Sequence, residues 1–183
     1  RKGIKFRLDG KGEDQVMWTS LFFRGLKLIV ISTYLHHERG EGADELTRAI
    51  ARASEISDFV LLGMDSNGHS PLWGPKGTIV DRVGRLVEGV LSEGNLLVLN
   101  NPDSPATFHS DHGDTSWIDI TAASPALVYH IAAWGVHPEI EVGSDHRLIM
   151  VTIDEGVERA AMRESRNWRK TDWRRFNREL FHS

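Results

Sequence analysis

Residues Leu61–Gly74 read LLGMDSNGHSPLWG, and residues Gly143–Ile153 read GSDHRLIMVTI. Each joins an apolar run to a carboxylate. Ser57-Asp58 breaks the helical pattern upstream, and the run from Phe59 to Met64 is too short for another helix. It reads as a buried strand that delivers Asp65 and Asn67 at its carboxyl end. In the second stretch Asp145-His146 opens an alternating bulky run, His146–Ile153, which reads as another strand. Between the two, Trp117-Ile118-Asp119-Ile120 sets a third acid inside a β-like segment.

Working outward, Val16–Phe23 and Leu26–Thr33 are rich in β-branched and aromatic residues and flank Arg24-Gly25. That is a hairpin signal, with Gly25 free to take the positive φ of a tight turn. Ala43–Ile56 carries Leu46, Ile50 and Ala53 on one face and charges opposite, an amphipathic helix. Asp81 is placed to cap a second helix through Val83, Leu86, Val87, Val90 and Leu91, with Gly94 as the residue that ends it. Leu96–Leu99 reads as a further buried strand, and Ser124-Pro125 as a cap and first turn of a short helix toward Ile131. Strands alternate with helices and hairpins, so the expected class is α/β.

Composition narrows the function classes. At 183 residues the chain can bury a full core, and 40% hydrophobic with 26% charged residues is ordinary for a globular domain. The absence of cysteine excludes a disulfide scaffold and any thiolate site. No apolar run approaches the roughly 20 residues of a membrane-spanning helix, so no membrane partner is expected. Nothing at the start is built like a signal peptide, and Arg1 in place of Met points to a longer parent chain. A formal charge of −4 argues against wholesale coating of DNA. Yet Arg159, Arg163, Arg166, Arg169, Lys170, Arg174, Arg175 and Arg178 crowd one stretch, which fits contact with a polyanion or, equally, a solvated helix face.

The polar residues at the strand ends carry the chemistry. Asp65-Ser66-Asn67-Gly68 alone is compatible with a plain turn. Followed by His69 and Trp73, it also fills a loop at the end of a strand, where α/β sheets hold ligands. Asp119 lies where a strand face should be apolar, and a buried carboxylate is costly without a partner. His146 is the natural one, since an aspartate fixes the tautomer of an imidazole and raises its basicity. Neighbouring strand residues point to opposite faces, so Asp145 and His146 act together only if the chain bends, and Gly143 supplies that freedom. Tyr34, at the end of its strand, reaches the same edge or serves as a rim tyrosine. His36-His37 reads as surface loop. Two aspartates, an asparagine and an Asp-His pair at strand edges suit metal-assisted phosphodiester hydrolysis.

At these residues the chain resembles the endonuclease/exonuclease/phosphatase family, and within it the endonuclease domains of non-LTR retrotransposons. The matching strings are IVISTY, DSNGHSPLWG, SWIDITAASPAL and GSDHR, in that order, from about Val16 to Ile153. The resemblance implies an α/β two-sheet sandwich flanked by helices, and a Mg2+- or Mn2+-dependent endonuclease that nicks one strand of double-stranded DNA. It implies that Asp65 positions or deprotonates water and that Asn67 hydrogen-bonds the phosphate. Asp145 would orient or ligate the metal, His146 act on the phosphate, Asp119 hold His146, and Tyr34 touch the phosphate or leaving oxygen. His69, Thr115 and Ser116 would contact DNA.

In one respect the pattern departs from the family, whose members begin with a strand bearing an asparagine and then a glutamate that is a principal metal ligand. Arg1-Lys2-Gly3-Ile4 looks like the region after both, and none of Asp9, Glu13 and Asp14 has the matching strand context. The expectation is therefore a domain over residues 1–153 lacking its first strands and helix, with weak or no activity. Residues 154–183 resemble a connector to the reverse transcriptase domain of the same polyprotein, which implies a nuclear protein. Rival expectations are a family phosphatase on small phosphate esters and a fragment that binds DNA without cutting it.

Overall fold

The computed structural model describes residues 5–11, 15–23, 26–36 and 41–154. In chain order it contains β1 (Lys5–Lys11), β2 (Val16–Phe23), β3 (Leu26–Tyr34), α1 (Ala43–Ile56), β4 (Phe59–Asp65), α2 (Arg82–Glu93) and β5 (Leu97–Val98). There follow β6 (Phe108–His109), β7 (Thr115–Ser116), β8 (Asp119–Ala123), α3 (Pro125–Val128), β9 (Ile131–His137) and β10 (Leu148–Ile153). The turn at Arg24-Gly25, residues Glu13 and Asp14, and the connector expected after Asp154 lie outside the described residues.

The main sheet is mixed, in the order β1-β2-β3-β4-β8-β5. Only β3 and β4 run parallel, and parallel neighbours need a crossover, which α1 provides. Alternation then divides the sheet into two faces. Ile29, Ile31, Val60, Leu62 and Met64 are buried with Leu46, Ile50 and Ala53 of α1 and Val83, Val87 and Leu91 of α2. The opposite face, with Val30, Leu61 and Thr121, looks toward Ile149 and Val151 of the antiparallel ribbon β9–β10 across a space of about 470 Å³. The class is α/β, as expected. Of the expected two-sheet sandwich, the second layer among the described residues is this two-stranded ribbon.

Two local expectations are corrected. Leu96–Leu99 is not a buried strand: β5 is a two-residue edge strand, and Leu97 is half exposed. Gly94 does not take the left-handed conformation that ends α2; its φ is −73°, and Asn95 takes φ +52° instead. Glycine is needed at 94 for space, because a Cβ there would stand 2.7 Å from Ile50 Cγ2 on α1. Asp9 lies on edge strand β1, where the β1–β2 register shifts between Leu8 and Gly10, with β2 and β3 between it and β4.

Candidate active site

Register assembles the site. Tyr34 pairs with Asp65 across the parallel β3–β4 junction, and Asp65 pairs with Asp119 across the antiparallel β4–β8 junction. Directly opposed residues share a face, so the three side chains form a row at one end of the sheet, on the face away from α1 and α2. Tyr34 is 45% exposed, whereas the carboxylates of Asp65 and Asp119 are largely covered.

His146 closes the row. Its Nδ1 lies 3.0 Å from both carboxylate oxygens of Asp119, which calls for an N–H on that nitrogen. Its Nε2 then faces Asp65 Oδ2 at 3.7 Å. The bend at Gly143–Asp145, with Gly143 at φ +70°, turns the chain so that His146 enters while Asp145 stays exposed. The His146 N–H donates to Ser144 Oγ at 3.1 Å and fixes the bend.

The two titrations are pushed the same way for different reasons. Burial, then the charge of Asp119, raises the Asp65 carboxyl above the usual aspartate value, against the opposing pull of the Asn67 N–H and His146. Burial works against an imidazolium at His146, but the hydrogen bond and charge of Asp119, with the charges of Asp65 and Asp145, outweigh it. The His146 pKa is therefore raised above the ordinary histidine value. The result is a carboxylate more basic than usual facing a ring that holds its proton longer than usual.

The loop after β4 is rigid for its own reasons. Asn67 sits at φ +49°, a conformation asparagine tolerates, and its N–H donates to Asp65 Oδ1 at 3.1 Å. Its Nδ2 donates to Leu35 O at 2.9 Å, which aims the amide. Ser66 is fully buried and donates to Ile118 O, tying the loop to the segment before Asp119. Trp73 is fully buried, and its indole N–H donates to Gly68 O at 3.0 Å. A Cβ at Gly68 would stand 2.8 Å from Gly84 N, so the loop rests directly on the first turn of α2.

His69 is held at both nitrogens. Nδ1 contacts Asp81 Oδ2 at 2.8 Å and Nε2 contacts Ser116 Oγ at 2.9 Å. The same Asp81 caps α2 by accepting from the Gly84 N–H. Burial works against its charge, but the N–H groups of Gly84 and His69 and the His69 ring outweigh it and lower its pKa. The sequence reading took Asp81 only as a cap; nothing local marks a partner twelve residues away. It also missed Phe108, whose ring meets that of His146 at 5.1 Å, edge to face.

The β6–β7 hairpin joins the parts. Its Ser116 reaches His69, Phe108 bridges His146, and the His109 N–H donates to Asp145 O at 2.8 Å. Thr115 is exposed and pairs with His109. The structure thus gathers Tyr34, Asp65, Asn67, Asp119 and His146 at one sheet end, with Asp145, His69, Thr115 and Ser116 around them.

Ligand atoms of Asp65, Asp119 and His146 lie within 4.8 Å of one another. Two like charges brought face to face by register suit a divalent cation, and carboxylate oxygens suit Mg2+ or Mn2+. The cluster is consistent with a divalent-metal site. Asp145 stands outside this trio, but its charge reaches both Asp65 and His146. No helix among the described residues is long and apolar enough to cross a membrane.

Residues 28–150 match the Endonuclease-reverse transcriptase family. The chain is 34% identical over 126 residues to the Retrovirus-related Pol polyprotein from type-1 retrotransposable element R1 of Bradysia coprophila. That match takes in 63% of this chain and spans 12% of the polyprotein. Among solved structures, the endonuclease domain of TRAS1, a telomere-specific non-LTR retrotransposon, superposes with a TM-score of 0.66 at 22% identity, covering 82% of this chain and 67% of that one. The 3'-5' exonuclease NExo of Neisseria meningitidis superposes with a TM-score of 0.58 at 15% identity, over 75% of this chain and 64% of that one.

Proposed function

Because this chain belongs to the Endonuclease-reverse transcriptase family, we propose that it is a metal-dependent endonuclease of the non-LTR retrotransposon kind. It cuts one strand of double-stranded DNA and leaves a 3′-hydroxyl that primes reverse transcription by another domain of the same polyprotein, in the nucleus. Residues 1–153 are the nuclease domain in this reading, and 154–183 the connector. The observation that carries the proposal is the row Tyr34–Asp65–Asp119 closed by His146.

Each residue has a task its surroundings support. Asp65, more basic than an ordinary aspartate, takes a proton from water as the water oxygen bonds to phosphorus. Asn67 has one amide N–H on Leu35 O and offers the other to a phosphate oxygen. The His146 imidazolium, oriented by Asp119, balances the charge that develops on the phosphoryl oxygens. The bond to the 3′ oxygen breaks, and that oxygen takes a proton from the Tyr34 phenol. Mg2+ or Mn2+, which Asp145 would orient or help ligate beside Asp65 and Asp119, would supply further neutralisation of the phosphate. His69, Thr115 and Ser116 border the path of the DNA.

Supercoiled plasmid with magnesium tests the reading. Nicked circles support it. Phosphate release from small esters with intact plasmid, or a gel shift without cleavage, would contradict it.

A further inference from the structure

His69 spends both ring nitrogens on the protein. The Asp81 carboxylate can only accept, so Nδ1 carries the proton at 2.8 Å from Asp81 Oδ2, and Nε2 meets Ser116 Oγ at 2.9 Å. The ring therefore has no nitrogen left to offer a phosphate or a base edge. Its backbone is fixed as well. The His69 N–H donates to the same Asp81 Oδ2 at 3.2 Å, and the Asp81 N–H donates back to His69 O. Gly84, in the first turn of α2, leaves no room for a Cβ against His69 O. Glycine inside a helix costs about 0.5–1 kcal/mol relative to alanine, so helix stability is given up to seat His69 on α2.

At the other end of the contact is the β6–β7 hairpin, whose two strands of two residues each are too short to hold a position alone. Residues Thr107–His109 run between Ser116 and the segment that carries His146. The Thr107 N–H donates to Ser116 O at 2.9 Å, the His109 N–H to Asp145 O at 2.8 Å, and the Arg147 N–H to Thr107 O at 2.7 Å. Phe108 lies in the middle of this ladder, bridged to His146, with its ring 5.1 Å from the imidazole. A shift of Ser116 is therefore passed through Phe108 to the His146 ring. We propose that His69, fixed by Asp81, is a positioning residue for His146: it anchors Ser116 and so holds the imidazole opposite Asp65. The inference deepens the nuclease reading and rests on it for its kinetic consequence, while the coupling itself is a property of the fold.

Two variants test it in the full chain. His69→Ala removes the ring, and Asp81→Ser keeps a capping oxygen for α2 but is too short to reach the ring. In magnesium each should lower kcat for plasmid nicking by about 10–100-fold, the scale of a misplaced catalytic group, with KM for DNA unchanged. The double variant should be no slower than the worse single one. In all three the ring-proton NMR signals of His146 should move, because the Phe108 ring shifts against them, while those of His130 stay. A raised KM at unchanged kcat would make His69 a DNA contact and overturn the proposal. So would His146 signals that stay in place in folded His69→Ala. If the unaltered chain nicks nothing, the nuclease reading fails by itself, and the His146 signals still decide the role of His69.

Discussion

Asp119 and Asp65 oppose each other across antiparallel strands, and the imidazole of His146 is hydrogen-bonded to the first while facing the second at 3.7 Å. One strand pair thereby gives two carboxylates different surroundings: Asp119 is hydrogen-bonded to the ring, and Asp65, with its carboxyl raised above the usual aspartate range, is left facing it.

Removing the ring should be felt in rate and little in fold. His146→Ala is expected to lower plasmid nicking by about 10²–10³, the loss that follows removal of a single group stabilising transition-state charge. The side chain is 33% exposed, so the fold should persist, with a modest drop in melting temperature because Asp119 loses its partner. Near wild-type nicking by a folded variant would remove His146 from the mechanism.

The raised pKa of His146 makes a pH prediction with a definite sign. Its folded value lies above the reference of 6.5, so its contribution to stability is fully present below about pH 6.5. That contribution is lost as pH rises through the folded value. Asp119→Asn removes the anionic partner and should return the His146 titration, followed by ring NMR shifts, toward or below 6.5. An unchanged titration would mean the contact does not set the pKa.

Asp65→Asn should separate activity from stability. Burial and the facing Asp119 both disfavour a charged Asp65 in the folded state, so a neutral amide should raise the melting temperature at pH 7 while abolishing nicking. A lowered melting temperature would show that the carboxylate is net stabilising where it sits.

The core under the loop carries the opposite expectation. Trp73 is fully buried and bonded to Gly68 O, so Trp73→Ala should cost about 3–5 kcal/mol in denaturant unfolding. A loss within the range of surface substitutions would mean the loop does not depend on that indole.

Residues 110–114, between β6 and β7, are the candidate for target choice, since exposed loops on a rigid scaffold commonly carry specificity. Exchanging only this tip, and keeping Phe108, His109 and Ser116, should move the nick positions on a duplex and leave the rate on random plasmid alone. Fixed positions with a slower rate would assign the tip to support of the Asp145–His146 bend.

Much of this was legible in the sequence because it is periodic or local. The bounds of β2, α1 and the core of β4 follow from apolar spacing, and the burial cost of a lone Asp119 points to His146 as its partner. What was not legible depends on tertiary approach. Asp81 serves a helix cap and His69 at once, and only the packing of the loop on α2 reveals it. Gly94 reads as a terminator but is required by Ile50 across a helix–helix contact. The edge strands β5 and β9 carry little apolar alternation, because each has one neighbour and a half-open face.

The most direct test compares the plasmid nicking rates of the unaltered chain, Asp65→Asn, His146→Ala and the double variant in magnesium. Residues acting as one unit are non-additive, so the double variant should be no slower than the worse single variant. Losses that multiply, or single variants that nick at the unaltered rate, would contradict a shared site at the Asp65–Asp119–His146 end of the sheet.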